Sequence, residues 1–346
     1  MSSIDFRPHP LLRGGHVQTL AGVLWRGETC VERAILHQVE QPDGDRLVLH
    51  DDCPAGWRAG VPAALLVHGL AGCHRSPYMQ RIARRLNERG MRTFRMDLRG
   101  CGAGLPLARF PYHSGRSEDA LAAVRSIMGL CPGSPLALVG FSLGGNIVLK
   151  LLGEAPDLVP GEVALGIAVC PPVDLQECVQ ALGRWDNRWY DRHFCRLLCQ
   201  QIAARQRLVP HIALPPSWPV VTTEPQGHGI ASAGKHPIGW RPPRGIAEFD
   251  RVFTAPVCGF GTAENYYQQC SSAQFLPSIR VPTHILAAAD DPLVPYSALT
   301  RANPSSAVRV QVARHGGHLG FLGRGSDPAK RRWMDWRVVE WVTAIC

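Results

Sequence analysis

Gly140-Phe141-Ser142-Leu143-Gly144-Gly145 follows Pro135-Leu-Ala-Leu-Val139, a stretch as short and apolar as a buried parallel strand should be. It precedes Asn146-Ile-Val-Leu-Lys-Leu-Leu152, which reads as a helix ending at Gly153. Strand, tight turn and helix together make the G-x-S-x-G spacing a nucleophile elbow. A serine hydroxyl is a poor nucleophile and must be presented where a base can reach it. Passing from strand to helix within about one residue strains the serine backbone, and a side chain at Gly140 or Gly144 would crowd the turn. The turn also puts the Leu143 N–H at a helix start, where unpaired amides and the helix dipole favour a developing negative charge.

Such a serine needs a histidine base and an acid to orient it; after an elbow they follow in the order acid, then histidine. Pro282-Thr-His-Ile-Leu-Ala-Ala-Ala289 reads as a buried strand leading into Asp290-Asp291-Pro292-Leu293-Val294-Pro295. Ala307-Val-Arg-Val-Gln-Val312 alternates as a further strand and leads into Arg314-His315-Gly316-Gly317-His318. Acid and base thus sit in loops at strand ends, where open α/β sheets bind ligands. Spacing leaves two choices open. Asp291 is preferred to Asp290 because it directly precedes the Pro-Leu-Val-Pro turn, which would hold its carboxylate back along the sheet, while Asp290 is expected to bond turn amides. His318 is preferred to His315 because Gly316-Gly317 lets the next imidazole lean into the site, with His315 supporting its neighbour. Ala63-Ala-Leu-Leu-Val-His-Gly-Leu70 is a strand running into the glycine-rich loop His68-Gly69-Leu70-Ala71-Gly72. The Leu70 N–H is the expected second oxyanion donor beside Leu143. His68 competes for the role of base; its expected job is to fix the loop by side-chain hydrogen bonds.

Several ordered stretches make the resemblance specific. They are Pro10-Leu-Leu-Arg-Gly-Gly-His-Val-Gln-Thr19, His68-Gly-Leu-Ala-Gly-Cys-His-Arg-Ser-Pro-Tyr78, Asp97-Leu-Arg-Gly-Cys-Gly102 and Tyr112-His-Ser-Gly-Arg-Ser-Glu-Asp119. Glu248-Phe-Asp250, Gly259-Phe260, Tyr266-Tyr267 and His315-Gly-Gly-His-Leu-Gly-Phe321 complete the series. The chain resembles the α/β-hydrolases of AB-hydrolase family 4, the YheT-like branch. The resemblance implies an esterase-like or lipase-like hydrolase of acyl esters with Ser142, Asp291 and His318 as its triad, in a family whose substrates are varied. The chain departs from the family pattern between about Leu208 and Gly245, where Pro215-Pro216, Pro219, Pro237 and Pro242-Pro243 disfavour a long helix or central strand. An extended cap loop over the active site is expected there.

Composition sets looser bounds. A chain of 346 residues with 45% hydrophobic and 19% charged residues suits one large α/β domain, 1–346, with a cap inserted at about 174–275. The N-terminus lacks a basic region leading into an apolar core, and no apolar run approaches the roughly 20 residues that span a bilayer. Eukaryotic relatives are often membrane-anchored; this chain resembles a soluble, bacterial-type member, expected in the cytoplasm. The net charge of +9 comes from scattered arginines. Arg81, Arg84, Arg85 and Arg89, or Lys330, Arg331 and Arg332, share predicted helices but sit in no nucleic-acid module, so no nucleic-acid partner is expected. A weak attraction to a membrane surface or an acidic substrate fits the charge better. The 12 cysteines include no C-x-x-C pair, and Cys195 and Cys199 lack matching histidines, so free thiols and no metal are expected. Gly100-Cys-Gly-Ala-Gly104 lacks dinucleotide spacing and no cofactor is called for.

A hairpin of Val31–Val39 and Arg46–His50 across Pro42-Asp-Gly-Asp45 is predicted first. Strands near 63–68, 92–97, 135–140, 163–169, 283–289 and 307–312 then alternate with helices near 77–89, 117–129, 143–152, 296–302 and 329–344. This alternation implies an α/β-hydrolase fold, a mostly parallel central sheet covered by helices. Trp185, Trp189, Tyr190 and Phe194 read as packing, with an apolar wall for an acyl chain as the alternative. The expected activity is cofactor-free hydrolysis of a small-molecule acyl ester through an acyl-enzyme. An acyltransferase with an alcohol acceptor, or a silent binding protein on a hydrolase fold, are the other readings.

Overall fold

Both faces of the central strands are apolar, so both must be covered. In β4 (Ala63–Val67), Leu65 and Val67 join one core with Leu138, Val124 and Ile147. Ala64 and Leu66 point the other way and join a second core with Val139, Ile82 and Val338. The computed structural model describes residues 2–4, 6–25, 27, 34–220, 240–324 and 331–345. The other strands are β1 (Ser2–Ile4), β2 (Ile35–Glu40), β3 (Arg46–Asp52), β5 (Arg92–Asp97), β6 (Leu136–Phe141), β7 (Val163–Val169), β8 (Thr283–Ala288) and β9 (Val308–Ala313). They form one nine-stranded sheet ordered β1-β9-β8-β7-β6-β4-β5-β3-β2, in which only the β3 pairings with β2 and β5 are antiparallel. This is the α/β-hydrolase fold.

The helices are α1 (Gly15–Leu24), α2 (Pro77–Asn87), α3 (Ser117–Leu130), α4 (Leu143–Glu154), α5 (Leu175–Gly183) and α6 (Arg188–Leu208). Next come α7 (Ile246–Phe249), a π-helical turn at Asp250–Thr254, α8 (Ala255–Val257), α9 (Ala263–Cys270), α10 (Ser297–Arg301) and α11 (Trp333–Thr343). Helices α5 to α9 all lie in the chain between β7 and β8. Helix α4 is buried along Leu143–Gly153, which explains why it is apolar all round except for Asn146, which donates to the Ser114 and Cys270 carbonyls, and Lys150, which donates to Ser117 Oγ.

Several details go beyond or differ from the sequence reading. β1 and α1 were not foreseen; β1 is short, and α1 carries a reversed pattern considered below. The first hairpin strand is Ile35–Glu40, with residues 31–33 outside the described residues, and the last helix begins at Trp333. Arg81, Arg84 and Arg85 do share α2, as expected. Arg81 is buried and donates to Asp335 of α11 through Nε at 2.6 Å, and the Arg85 guanidinium lies 4.1 Å from the Trp336 ring centre. Residues 221–239 of the proline-rich stretch, and Lys330, lie outside the described residues; the flanking 209–220 and 240–245 hold no helix or strand.

The Asp97-Leu-Arg-Gly stretch has a structural job. Arg99 is buried and makes two bonds to Asp119 of α3, at 2.7 and 2.8 Å, and reaches Asp43 and Asp45 in the β2–β3 turn. A planar fork paired with a carboxylate this way holds both partners in a fixed orientation. It ties the loop after β5 to the hairpin and to α3.

Candidate active site

Ser142 stands between β6 and α4 with φ 51°, a left-handed conformation that a serine adopts only under constraint. A Cβ on Gly144 would come within 2.4 Å of the Val67 carbonyl oxygen, so β4 and α4 can approach only with glycine there. Ser142 Oγ lies 2.9 Å from His318 Nε2. His318 Nδ1 lies 2.8 Å from Asp291 Oδ2. With Nδ1–H donating to the carboxylate, Nε2 is left to accept from the serine hydroxyl. The Asp291 and His318 side chains are nearly buried, so the bonds compete little with water.

The acid loop differs from expectation in detail. The turn amides of Leu293 and Val294 donate to Asp291 Oδ1, at 2.8 and 3.0 Å, and so aim its other oxygen at the imidazole. Asp290 reaches instead to the Gly317 N–H at 2.9 Å and to His315 Nδ1 at 3.4 Å. The adjacent carboxylates thus brace the histidine loop from two sides. Gly317, at φ 57°, passes so close to α1 that a Cβ would sit 2.3 Å from the Gly15 carbonyl oxygen.

Helix α1 holds the same loop. Thr19 Oγ1 accepts from the His318 N–H at 2.8 Å. Gln18 is fully buried and bonds Leu322 in both directions, donating to its carbonyl and accepting from its N–H. The sequence signal was present, since Gln18-Thr19 interrupts an apolar stretch, but nothing local said what the pair would grip.

Leu70 and Leu143 both line the pocket beside Ser142. Leu143 opens α4, where a helix offers its first amides no acceptor. The amides flanking Leu70 are both taken by tyrosines: Gly69 N–H donates to Tyr78 Oη at 3.0 Å, and Ala71 N–H donates to Tyr112 Oη at 2.8 Å. These two hydroxyls clamp the loop around Leu70, and sequence reasoning missed them. His68 is fully buried; it accepts from the Leu98 N–H at Nε2, so Nδ1–H donates to the Gly69 carbonyl at 2.8 Å. Burial holds its pKa below the usual histidine range, so it stays neutral and structural.

The pocket beside Ser142 has a volume of about 110 Å³. Leu175, Val179, Leu182, Phe194 and Leu198 form an apolar wall, and Ser114, Asp250, Tyr266 and Tyr267 form a polar one. The expected aromatic stripe divides here. Tyr190 is buried and Phe194 lines the pocket, but Trp185 and Trp189 are exposed, so packing is corrected for those two. Asp250 is buried, accepts from Thr254 Oγ1 at 2.7 Å and Tyr267 Oη at 3.0 Å, and its pKa is pushed up to about 7 by that burial. It opens a π-helical turn, Asp250–Thr254.

His50, His74 and Asp97 offer three possible metal-ligand atoms within 4.8 Å of one another. Asp97 Oδ2 already accepts from His50 Nε2 at 2.8 Å and His74 Nδ1 at 2.7 Å, and the two rings stack 3.4 Å apart. Both imidazoles thus meet one carboxylate oxygen, and this hydrogen-bonded hub ties β3, β5 and the loop after β4.

Comparison with known proteins gives a consistent answer. Residues 62–194 match the family described as alpha/beta hydrolase fold. YheT of Escherichia coli, whose name marks it provisionally as an esterase, is 30% identical over 99% of this chain and 94% of its own. Monoacylglycerol lipase ABHD2 of Homo sapiens is 32% identical over 65% of this chain and 52% of its own. Medium-chain fatty acid ethyl ester synthase/esterase 2 of Saccharomyces cerevisiae is 27% identical over 77% and 59%. Among solved structures, Est1E from Butyrivibrio proteoclasticus with bound ferulic acid overlays at a TM-score of 0.53 with 16% identity, covering 89% of this chain and 98% of that one; this likeness concerns the fold. The chain belongs to the YheT-like branch of the α/β-hydrolases and is a carboxylic ester hydrolase.

Proposed function

We propose that Ser142, His318 and Asp291 form a catalytic triad that cleaves acyl esters through a covalent acyl-enzyme. The observation that carries this reading is the unbroken chain of two hydrogen bonds, 2.9 and 2.8 Å, from hydroxyl to imidazole to carboxylate. Ser142 Oγ attacks the ester carbonyl as its proton passes to His318 Nε2. Asp291 keeps the imidazole in the required tautomer and stabilises its cation. The carbonyl oxygen takes the negative charge and lies against the Leu70 and Leu143 N–H groups; one such donor is worth about 3–4 kcal/mol in the transition state. The ester C–O bond then breaks, and His318 returns its proton to the leaving alkoxide. Water, deprotonated by the same imidazole, attacks the acyl-enzyme and frees Ser142.

The segment 174–275 acts as the cap. Its α5 and α6 side chains supply the apolar wall, which suits an acyl chain, and the pocket's modest volume favours short to medium chains. A second reading has an alcohol take the place of water. It is favoured by the name of the yeast relative, which couples synthase with esterase.

A panel of p-nitrophenyl esters from acetyl to palmitoyl tests the first reading. Ser142→Ala should lose roughly 10⁴- to 10⁶-fold in kcat, and the wild type should label with a fluorophosphonate. Equal turnover by the variant removes the serine mechanism. Added ethanol separates the second reading: ethyl ester accumulating faster than free acid favours transfer.

A further inference from the structure

Helix α1 is amphipathic in the reverse sense. Its buried residues are the polar Gln18 and Thr19, whereas Val17, Leu20, Val23 and Leu24 are exposed, Val23 by 66% and Leu24 by 79%. Positions 17, 20 and 24 recur at helical spacing, so the outward face is an apolar stripe. Leu11 before the helix and Trp25 after it are exposed too. The inner face is fixed by its hold on the His318 loop, so the outer face cannot turn inward to hide.

A second element continues this surface. His16 at the start of α1 stacks on Tyr190 at the start of α6, ring centres 5.8 Å apart. Trp189 packs its ring 5.3 Å from Tyr190 yet remains exposed, and Trp185 is 84% exposed. Around these side chains arginines outnumber acids. Residues 6–25 contain no acid but include Arg7 and Arg13. Arg184, Arg188, Arg192 and Arg196 are exposed beside the tryptophans. Of the two acids in that stretch, Asp191 is engaged by the Ile246 N–H at 2.7 Å and Asp186 pairs with Arg184 at 3.4 Å.

We propose that the outer face of α1, with Trp185 and Trp189, docks this protein on an anionic lipid surface. Large aliphatic and indole side chains ringed by arginines fit the boundary between acyl chains and anionic headgroups. The apolar groups enter, the indoles sit at the interface, and the guanidiniums remain at headgroup level. A second copy of the chain fits less well, because pairing this face with itself brings arginines against arginines. No helix among the described residues is long and apolar enough to cross a membrane, so the contact is peripheral. Docking here sets the lipid one helix diameter, about 10 Å, from the loop that carries His318. The docking stands apart from the triad chemistry and can fail or hold independently of it.

The test is co-sedimentation with vesicles of phosphatidylcholine alone and with about one-third phosphatidylglycerol, using the wild type, Val23→Ser/Leu24→Ser and Trp185→Ser/Trp189→Ser. Binding to the anionic vesicles is expected, with tryptophan emission shifting to the blue. Raised salt should weaken it, and each double variant should lower affinity at least about tenfold. Turnover of a water-soluble p-nitrophenyl ester should be unchanged in both variants, which shows that they are folded. Wild type that ignores anionic vesicles, variants that bind as well as wild type, or wild-type dimers that the substitutions dissolve would each overturn the proposal.

Discussion

Helices α4 and α1 both support His318, one through Ser142 at its start and one through Thr19, and use their apolar residues in opposite ways. α4 starts at Ser142 and is buried from Leu143 to Gly153, so its leucines, Ile147 and Val148 hold the core together. α1 grips the His318 loop with a threonine and a glutamine and turns its aliphatic residues to solvent. Helical periodicity is the same in both. What differs is which face the rest of the chain occupies, so an apolar stripe shows that something must cover it, without naming what.

The contrast breaks most visibly in stability. Leu149 is fully buried in the main core, and Leu149→Ala should destabilise the fold by about 2–5 kcal/mol. Leu24→Ser should change stability by no more than about 0.5 kcal/mol. Denaturant melts of the two variants read this directly, and equal losses would mean that the α1 face is packed after all.

The next effect lies on the loop facing the α4 N-terminus. Tyr112→Phe removes the acceptor for the Ala71 N–H and frees one flank of Leu70. An unpaired amide of this kind is worth about 1–3 kcal/mol. If the clamp positions an oxyanion donor, kcat should fall by about 5- to 100-fold with KM little changed. An unaltered kcat with lowered stability would leave Tyr112 a purely structural residue.

A pH-dependent effect sharpens the contrast at the polar wall of the pocket. Asp250 is faced by the Thr254 and Tyr267 hydroxyls, with Asp191 adding a like charge. Its folded pKa is raised from 3.8 to about 7, so between those values the folded state binds more proton than the unfolded. Stability should therefore fall as pH rises from about 4 towards 7, and Asp250→Asn should remove that slope. Thermal melts of both proteins at pH 5 and 8 test it; a constant difference between them would show that Asp250 does not titrate there.

Much of this was legible in advance where structure is local. The elbow, the strands before Asp291 and His318, and the alternation that builds the sheet all rest on patterns spanning about ten residues. Legibility ended where one residue pattern permits two environments. The aromatic stripe at 185–194 has helical spacing throughout, yet Tyr190 is buried while Trp185 and Trp189 are exposed. The split depends on where α6 lies against α1, which spacing within α6 does not encode.

By itself the sequence determined that a strained serine, an acid pair and a histidine pair would stand at the ends of parallel strands. Strand-to-turn signals are short-range, and parallel strands share one carboxyl edge. Only the tertiary structure decided that the Leu293 and Val294 amides would aim Asp291 at the imidazole, and that two tyrosine hydroxyls would flank Leu70. It also decided that Thr19 would hold the His318 backbone from 299 residues away. Hydrogen bonds act over about 3 Å, and which distant groups come that close is settled only when the layers pack.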